Sequence, residues 1–431
     1  MRVLFVSNFY PPVVYGGYEQ LCREVGVELV RRGHQLGVLT ARGTSPDDGP
    51  GSADDGIAVY RRLHLEVVGG VLHTARRALR DRPRLERENL AQVREALSSF
   101  APDAVMVWGM WNVPHSVPAA FETLVPDRVA YYICDYWPSL PSAYLQHVLA
   151  PSTRRATALP KQILSYPLVQ VLRREARPSL RLERAYCVSR ATRDLLVQAG
   201  LPLAQAGVIY GNINLEQFSV SHAVTPPEQG ALRLLYSGRL APEKGVHTAI
   251  HALARLPESH LRRLRLQILG SGLREYERKL RRLVAQYRLA ERVHFRASVA
   301  RAEMPAVLAE HDVLIFPSEW QEPFARAVLE AMAAGLVVVG STAGGTPEVL
   351  AEDRTGLLFP AGDSAALARQ IARLLDEPAT RARLASAGRR HVAEHFTIAQ
   401  TVDGIEAVLQ AMLGNRAARG DLVVGAGGGV R

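Results

Sequence analysis

A short glycine-flanked segment, GRLAPEKG at residues 238–245, carries two cations, Arg239 and Lys244. A strand-like run at 232–237 precedes this segment and an amphipathic run follows it, so we expect a strand-to-helix loop. Arginine offers a planar fork to phosphate oxygens, lysine offers a point charge, and the free N–H groups of a helix start attract anions. The combination predicts a diphosphate site. The alternative is a surface ion pair beside a helix start.

Two carboxylates follow in the segment 317–332, at Glu322 and at Glu330, eight residues later. We expect Pro323 to open a helix, so that Glu322 lies in the loop before it and Glu330 on the helix itself. Carboxylates accept hydrogen bonds from neighbouring hydroxyl groups, and the N–H groups of a helix start receive oxygens. The pair therefore fits a bound sugar, although two exposed helix glutamates would show the same spacing.

The elements that must position these residues form two successive alternations of apolar and amphipathic runs. This order predicts two Rossmann-like, doubly wound α/β domains that face each other across a cleft, with the chemistry in strand-to-helix loops. Strands are expected at 3–7, 35–40, 104–108, 129–133, 184–188 and 207–210, and then at 232–237, 264–269, 292–296, 313–316 and 337–340. Helices are expected at 18–32, 246–255, 275–287 and 398–413.

The same pattern divides the chain into domains. Residues 1–218 are expected to form an N-terminal, acceptor-binding domain, and residues 232–397 a C-terminal, donor-binding domain. A linker at 219–231 contains two prolines and no periodic pattern, and a Gly-rich tail at 414–431 is expected to be disordered. The helix at about 398–413 is expected to cross back onto the first domain.

Composition and charge narrow the class of protein. The 431 residues are 48% hydrophobic, which excludes disordered and collagen-like chains. The formal net charge is +10, and the excess of basic residues is concentrated in the stretches 73–94 and 154–184. These stretches predict peripheral contact with an anionic membrane. The alternative is that both are ordinary solvated helix surfaces. No basic motif interleaved with aromatic residues indicates nucleic-acid binding. Three separated cysteines, the lack of a signal-peptide pattern and the lack of a bilayer-length apolar run favour a cytoplasmic protein, peripheral at most to the inner face of a membrane.

An ordered set of motifs resembles family 4 of the retaining glycosyltransferases, over residues 1 to about 400. The motifs are Tyr10-Pro11-Pro12, Gly16-Gly17-Tyr18-Glu19, Ser237-Gly238-Arg239-Leu240 with Lys244-Gly245, Gly270-Ser271-Gly272, Pro317-Ser318 with Glu322-Pro323-Phe324, Glu330-Ala331-Met332-Ala333, and Gly344-Gly345-Thr346-Pro347-Glu348. The resemblance implies a GT-B fold and an enzyme that moves a sugar from a nucleoside diphosphate to an acceptor hydroxyl without a metal or other cofactor.

The resemblance also implies roles for individual residues. Arg239 and Lys244 would bind the donor diphosphate, Glu322 would contact sugar hydroxyls, and Glu330 would contact the nucleotide ribose. The remaining donor-side positions implied by the resemblance are Gly16, Gly17, Gly238, Gly270, Gly272, Phe324, Ala325 and Arg326.

Some positions depart from the family pattern. Cys134 stands where a histidine often precedes Asp135 on the acceptor side, and Ala325 stands at a usual glycine. Two alternatives stay open: an epimerase or hydrolase of nucleotide sugars on the same two-domain architecture, and, because of Cys134, a non-catalytic, sugar-nucleotide-binding subunit of a partner transferase. The segment His391-Val392-Ala393-Glu394-His395, with Glu406 farther on, matches a zinc-binding spacing, but five residues match by chance often enough that we predict no metal site.

Overall fold

The computed structural model describes residues 1–14, 16–42, 55–150, 155–174, 177–218 and 231–425, and for 155–164 and 415–425 it describes the backbone alone. The described residues divide into two compact units. Unit 1 comprises Met1–Val188, Arg193–Ile209 and Val402–Arg431, and unit 2 comprises Ser189–Thr192 and Tyr210–Thr401.

Unit 1 is built on a seven-stranded sheet, counted over the described residues, in the order β3-β2-β1-β4-β5-β6-β7. All the pairings are parallel. The central strands read as unbroken apolar runs because helices cover both faces of such a sheet. The strands are β1 Arg2–Ser7, β2 Gln35–Ala41, β3 Ala58–Leu63, β4 Ala104–Val107, β5 Val129–Ile133, β6 Ala185–Cys187 and β7 Gly207–Val208.

Helices connect these strands. They are α1 Gly17–Arg31, α2 Val71–Arg76, α3 Arg82–Phe100, α4 Ser116–Leu124, α5 Ala143–Leu149, α6 Arg155–Arg174 and α7 Arg190–Gln198. A π-helical segment, Arg77–Asp81, joins α2 to α3. The first turn of α7 groups with unit 2.

Unit 2 repeats this plan with a parallel sheet that has six strands among the described residues, in the order β10-β9-β8-β11-β12-β13. The strands are β8 Leu232–Ser237, β9 Leu264–Leu269, β10 Val293–Arg296, β11 Val313–Phe316, β12 Val337–Ser341 and β13 Leu357–Phe359. The helices are α8 Leu215–Phe218, α9 Val246–Leu253, α10 Glu258–Leu261, α11 Arg274–Gln286, α12 Met304–Ala309, α13 Arg326–Ala333, α14 Thr346–Val349, α15 Ser364–Asp376, α16 Pro378–His395 and, shared with unit 1, α17 Ile398–Gly425.

The predicted fold class is confirmed, since both halves are doubly wound parallel α/β units. Two strands were not predicted from the sequence. Ala58–Leu63 contains two arginines because it is an edge strand that pairs only with β2, and Leu357–Phe359 is only three residues long. Short or partly polar edge strands lack the apolar run on which the predictions depend.

Two predicted boundaries differ from the observed units. Residues 210–218 group with unit 2 because Ile213 and Phe218 are buried in its core and Ile213 N donates to the carbonyl of Phe396 over 3.0 Å. The predicted tail is helical as far as Gly425, since its alanines and arginines sustain a helix. Residues 219–230 of the predicted linker and residues 426–431 of the tail lie outside the described part of the chain.

Helix α17 forms ion pairs with two residues that follow α1, Arg32 and His34. Arg32 Nη1 lies 2.7 Å from Asp403 Oδ1 and 2.9 Å from Glu406 Oε2, and His34 Nε2 lies 3.0 Å from Glu406 Oε1. Glu406 is therefore engaged by a guanidinium and an imidazole within unit 1, which holds its pKa below the usual range.

Candidate functional site

The loop after β8 brings the predicted lysine onto the predicted glutamate. A 3₁₀ turn at Pro242–Lys244 leads from the strand to α9, and Lys244 Nζ lies 2.6 Å from Glu322 Oε1. The same oxygen accepts a hydrogen bond from Ser318 Oγ at 2.7 Å. Since Glu322 is only 9% exposed, this pairing fixes both charges in one place.

Arg239 lies in the same loop but remains open to solvent. Its side chain is 69% exposed, and its nearest carboxylate contact is Glu243 Oε1 at 3.7 Å, an exposed pair of small energetic weight. The carbonyl of Arg239 accepts from the hydroxyl of Tyr236 at 2.7 Å, which fixes the backbone while leaving the guanidinium able to turn. The loop therefore presents one anchored cation and one adaptable cation.

The predicted glycines pack this loop against the loop after β9. A Cβ atom built at Gly270 would lie 1.9 Å from the carbonyl oxygen of Gly238, and one built at Gly272 would lie 2.0 Å from that of Leu240. Both distances are far below van der Waals contact, so any other residue would push the two loops apart. In the described structure these glycines keep the cation-bearing loop in place.

The start of α13 differs from the prediction. The helix begins at Arg326, three residues after Pro323, because residues 323–325 form an extended bend whose last member, Ala325, is the buried N-cap residue. Arg326 N donates to the carbonyl of Phe324 over 3.0 Å, and the Phe324 ring stacks 6.1 Å from that of Tyr210.

A short polar segment of unit 2 supports this bend. The carbonyl of Pro323 accepts from Ser189 Oγ at 2.6 Å and from Thr192 Oγ1 at 3.2 Å. Both partners lie more than 130 residues away in the chain, so their role carried no signal in the sequence.

Glu330 is held by an arginine that the sequence analysis missed. Arg301 Nη1 lies 2.8 Å from Glu330 Oε1, and Glu330 is 8% exposed. The guanidinium carbon of Arg301 also lies 5.5 Å from the centre of the buried Phe218 ring. Arg301 thus fixes one carboxylate oxygen of Glu330.

The first-unit candidates gather at the carboxyl edge of its sheet. Gly16 is the N-cap of α1, and its N–H donates to Glu19 Oε2 at 2.9 Å. Cys134 and Asp135 follow β5; the thiol of Cys134 is buried and faces the carbonyl of Tyr132 at 3.8 Å. Asp135 Oδ1 accepts from Trp137 N at 2.8 Å.

Asp135 has an unusual protonation equilibrium. Burial raises its pKa from 3.8 to about 6, and the negative charge of Glu19 adds to the rise, while the Trp137 N–H opposes it. Burial, and to a smaller extent the charges of Glu19 and Asp135, raise the pKa of Tyr18. The Gly16-Gly17 loop and the Cys134-Asp135 pair therefore share one acidic environment within unit 1.

This shift predicts a pH dependence of stability. A carboxyl group whose folded pKa is raised stabilises the fold below its unfolded pKa, and this contribution is lost as the pH rises through the folded value. Relative to Asp135→Asn, the wild-type chain is expected to lose about 2 kcal/mol between pH 4 and pH 6. Urea unfolding of both proteins across this range measures the difference, and parallel stability curves would contradict the prediction.

A pocket opens at the same edge of unit 1. Its lining includes Glu66, Trp111, His115, Trp137 and Arg177. Trp111 is 42% exposed, and Glu66 is nearly buried, with Oε2 accepting from Ala143 N at 2.6 Å. Burial and the charge of Arg177 lower the pKa of His115 to about 4, so this imidazole is neutral at pH 7. The pocket combines an apolar ring surface with a carboxylate and a cation.

No metal-binding cluster of three or more His, Cys, Asp or Glu side chains exists among the described residues. The rings of His391 and His395 lie 4.8 Å apart on α16, but Glu406, the conceivable third ligand, is paired with Arg32 and His34. In the part of the chain that the structure describes, no helix combines the length and apolarity needed to cross a bilayer.

Both halves of the chain match known sequence families. Residues 15–217 match the family described as Glycosyltransferase Family 4, and residues 219–391 match Glycosyl transferases group 1. The glycogen synthase of Mycobacterium tuberculosis (strain CDC 1551 / Oshkosh) is 28% identical over 408 residues, which cover 92% of this chain and 91% of that protein.

Solved structures share the architecture. Sucrose-phosphate synthase from Thermosynechococcus elongatus superimposes with a TM-score of 0.70 at 19% identity, covering 96% of this chain and 99% of that one. Anabaena HepE in complex with UDP-glucose gives a TM-score of 0.65 at 21% identity, covering 95% of this chain and 100% of that one. At these identities the likeness concerns the fold.

Proposed function

This chain belongs to the family 4 glycosyltransferases and has their GT-B fold, and we propose that it transfers a hexose-like sugar from a nucleoside diphosphate to an acceptor hydroxyl with retention at the anomeric carbon. The observation that carries the proposal is the cluster in unit 2, where Lys244 Nζ meets Glu322 Oε1 at 2.6 Å beside the exposed guanidinium of Arg239. Such a cluster offers cations to a diphosphate and a carboxylate to a sugar.

The reaction breaks the bond between the anomeric carbon and the diphosphate oxygen. Negative charge grows on the diphosphate as positive charge grows on the sugar, so cations that contact the leaving group stabilise the transition state more than the ground state. Arg239 and Lys244 take this role in the proposal. They supply charge that a divalent ion supplies in other transferases, and we propose that no metal is required.

The carboxylates orient the donor. Glu322 accepts hydrogen bonds from sugar hydroxyls, and Glu330 accepts from the ribose, with its second oxygen held by Arg301. Phe324, Ala325 and Arg326 shape the bend beside the sugar, and the glycines at 16, 17, 238, 270 and 272 let backbone approach the donor. With the attacking hydroxyl on the face of the departing phosphate, a phosphate oxygen can take its proton, so a protein base is not needed when Cys134 replaces a histidine.

Similar proteins support a nucleotide-sugar donor. The Anabaena neighbour was solved with UDP-glucose, and the mycobacterial relative is named a glycogen synthase. We propose that the acceptor hydroxyl approaches through the first unit, near Cys134 and Asp135, and that a sugar ring of the acceptor stacks on Trp111. A peripheral, cytoplasmic position at the inner face of a membrane would present a lipid-linked acceptor to this edge.

Labelled donor tests the reaction class. With UDP-glucose labelled in the sugar, transfer of label to an acceptor glycan or lipid, undiminished by EDTA, is the expected result. Label released only into water would indicate a hydrolase, and label recovered in an epimeric nucleotide sugar would indicate an epimerase. Donor binding without any turnover would indicate a non-catalytic subunit, and a panel of nucleoside diphosphates screened by melting temperature identifies the base.

Trp111→Ala separates acceptor binding from donor chemistry. Removing the exposed indole is expected to raise the KM for the acceptor about tenfold, because a stacked ring loses its contact surface. Hydrolysis of the donor in the absence of acceptor should stay at the wild-type rate. Trp320→Ala, at 45% exposure in unit 2, is the matched control. An unchanged acceptor KM would remove Trp111 from the acceptor site.

A further inference from the structure

A stripe of leucines and arginines runs along the exposed side of the helical segment 71–87 in unit 1. We call it the Leu/Arg stripe: Leu72, Arg76, Leu79, Arg80 and Arg87. Leu72 is 78% exposed and Leu79 is 55% exposed, which places them among the most exposed large apolar side chains of the described residues. Isolated exposed leucines are ordinary, but leucines that alternate with cations on one helix face are not.

The spacing puts these residues on one face. Leu72, Arg76, Leu79 and Arg80 follow intervals of three and four residues, which stack side chains along a helix, and all four are exposed across the junction of α2 with the π-helical segment Arg77–Asp81. The opposite face is buried, since Thr74 and Ala78 are covered, and Ala78 packs in a small core with Tyr144 and Leu168. The stripe is therefore directed away from the body of unit 1.

The charges on the stripe are not neutralised locally. Among the described residues, no carboxylate lies within ion-pair distance of Arg76 or Arg80. The two acidic residues of the segment 71–87 are already paired, in the contacts Arg77–Asp81 at 3.6 Å and Arg82–Glu86 at 2.8 Å. The stripe thus keeps its full positive charge toward solvent.

The neighbouring helices also expose apolar and cationic side chains. Helices α5 and α6 share the small core with α2, and their described exposed residues repeat the composition of the stripe. Leu149 is 50% exposed, Tyr166 is 66% exposed and Val171 is 51% exposed, and Arg173 and Arg174 are exposed at the end of α6. Apolar and cationic side chains therefore occur together on this helical layer.

We propose that the Leu/Arg stripe docks unit 1 onto an anionic lipid bilayer. The leucines enter the interfacial layer while the guanidinium groups pair with anionic headgroups, a division of labour found in helices that lie in a membrane surface. A nucleic acid would use the cations but would leave the leucines exposed, so a bilayer fits the observed composition better. The docking surface rests on the proposed function in one respect: it would bring a transferase to a lipid-linked acceptor.

Vesicle co-sedimentation of the full chain tests the proposal. Vesicles of phosphatidylcholine alone are compared with vesicles that also contain phosphatidylglycerol. Wild-type protein is expected to bind the anionic vesicles. Two double variants, Arg76→Gln with Arg80→Gln and Leu72→Ser with Leu79→Ser, are each expected to bind them at least about tenfold more weakly. The melting temperature of each variant shows whether the fold is intact.

Matched controls lie on α11 of unit 2 and at its N-cap residue, Leu273. Arg278 and Arg282 are exposed arginines with the same four-residue spacing, and Leu273 is 68% exposed. Arg278→Gln with Arg282→Gln, and separately Leu273→Ser, should bind anionic vesicles as the wild type does. If the control double variant lost vesicle binding as strongly as Arg76→Gln with Arg80→Gln, the net charge of the protein would explain the binding, and the proposal would be overturned.

Two other outcomes would also overturn it: equal binding to neutral and anionic vesicles, or arginine-dependent binding to a single-stranded RNA without vesicle binding. The melting-temperature shift caused by UDP-glucose is measured on the same variants. A variant that loses vesicle binding but keeps the UDP-glucose shift has lost the docking surface and not the donor site. If no protein, including the wild type, shows the shift with UDP-glucose, the proposed function is contradicted while the vesicle result still stands. The two failures are therefore distinguishable.

Discussion

Replacing Arg239 and Lys244 together by alanine is expected to lower kcat/KM for the donor by roughly 10³-fold or more. In the proposed mechanism each cation contacts the diphosphate where charge develops, and removal of one preorganised group of this kind typically costs about 10²- to 10³-fold. The two effects should not multiply fully, because both cations act on one leaving group. Steady-state rates measured at saturating donor give kcat, and rates measured at limiting donor give kcat/KM.

The single variants separate electrostatics from folding. Arg239→Ala removes a 69% exposed side chain and should leave the free energy of unfolding within about 0.5 kcal/mol of wild type while lowering the rate. Lys244→Ala leaves the buried carboxylate of Glu322 with the Ser318 hydroxyl but without its cation, so it should also destabilise the fold. If Lys244→Ala lost activity and Arg239→Ala did not, the loss would follow from destabilisation, and a role of the two cations in the reaction would be contradicted.

A matched control exists for the double variant. Arg274 and Lys279 on α11 are exposed and have the same residue types and the same five-residue spacing as Arg239 and Lys244. Arg274→Ala with Lys279→Ala makes an identical change in net charge and should retain wild-type kcat/KM. If both double variants lost activity equally, the charge of the protein rather than the loop would explain the loss.

Glu330→Gln is expected to lower the preference for a ribonucleoside diphosphate over its 2′-deoxy analogue about ten- to a hundredfold. A carboxylate that accepts from a ribose hydroxyl makes a charge-assisted bond, and a neutral amide makes a weaker one. Competition between UDP and 2′-deoxy-UDP for the protein measures the ratio, which is independent of the catalytic rate. A ratio that stays at the wild-type value in Glu330→Gln would exclude the ribose contact.

Arg301→Gln should lower the same ratio, although Arg301 itself is not expected to contact the nucleotide. Without the 2.8 Å contact to Nη1, Glu330 loses the partner that fixes its orientation. Arg301→Lys should restore part of the preference because it keeps the charge but not the fork geometry. Arg296→Gln is the control, since Arg296 forms a half-exposed pair with Glu310 at 3.6 Å and should leave the ratio unchanged.

The stretches that were easiest to predict are those in which local pattern and burial coincide. Strands 232–237, 264–269 and 313–316 were predicted with their observed bounds, because a strand inside a parallel sheet is apolar on both faces. The loop carrying Arg239 and Lys244 could also be located, since glycines and cations follow a strand and precede a helix. The start of α13 could not, because the Pro323 bend depends on Ser189 and Thr192.

The sequence by itself determined the succession of strands and helices and the kinds of charged groups in each loop. Only the tertiary structure decided which charges meet: Lys244 with Glu322, 78 residues away, Arg301 with Glu330, and Glu406 with Arg32. The physical reason is that periodic burial is a local property of the chain. The pairing of two side chains instead depends on where the sheet places their loops and on the direction in which each side chain leaves its backbone.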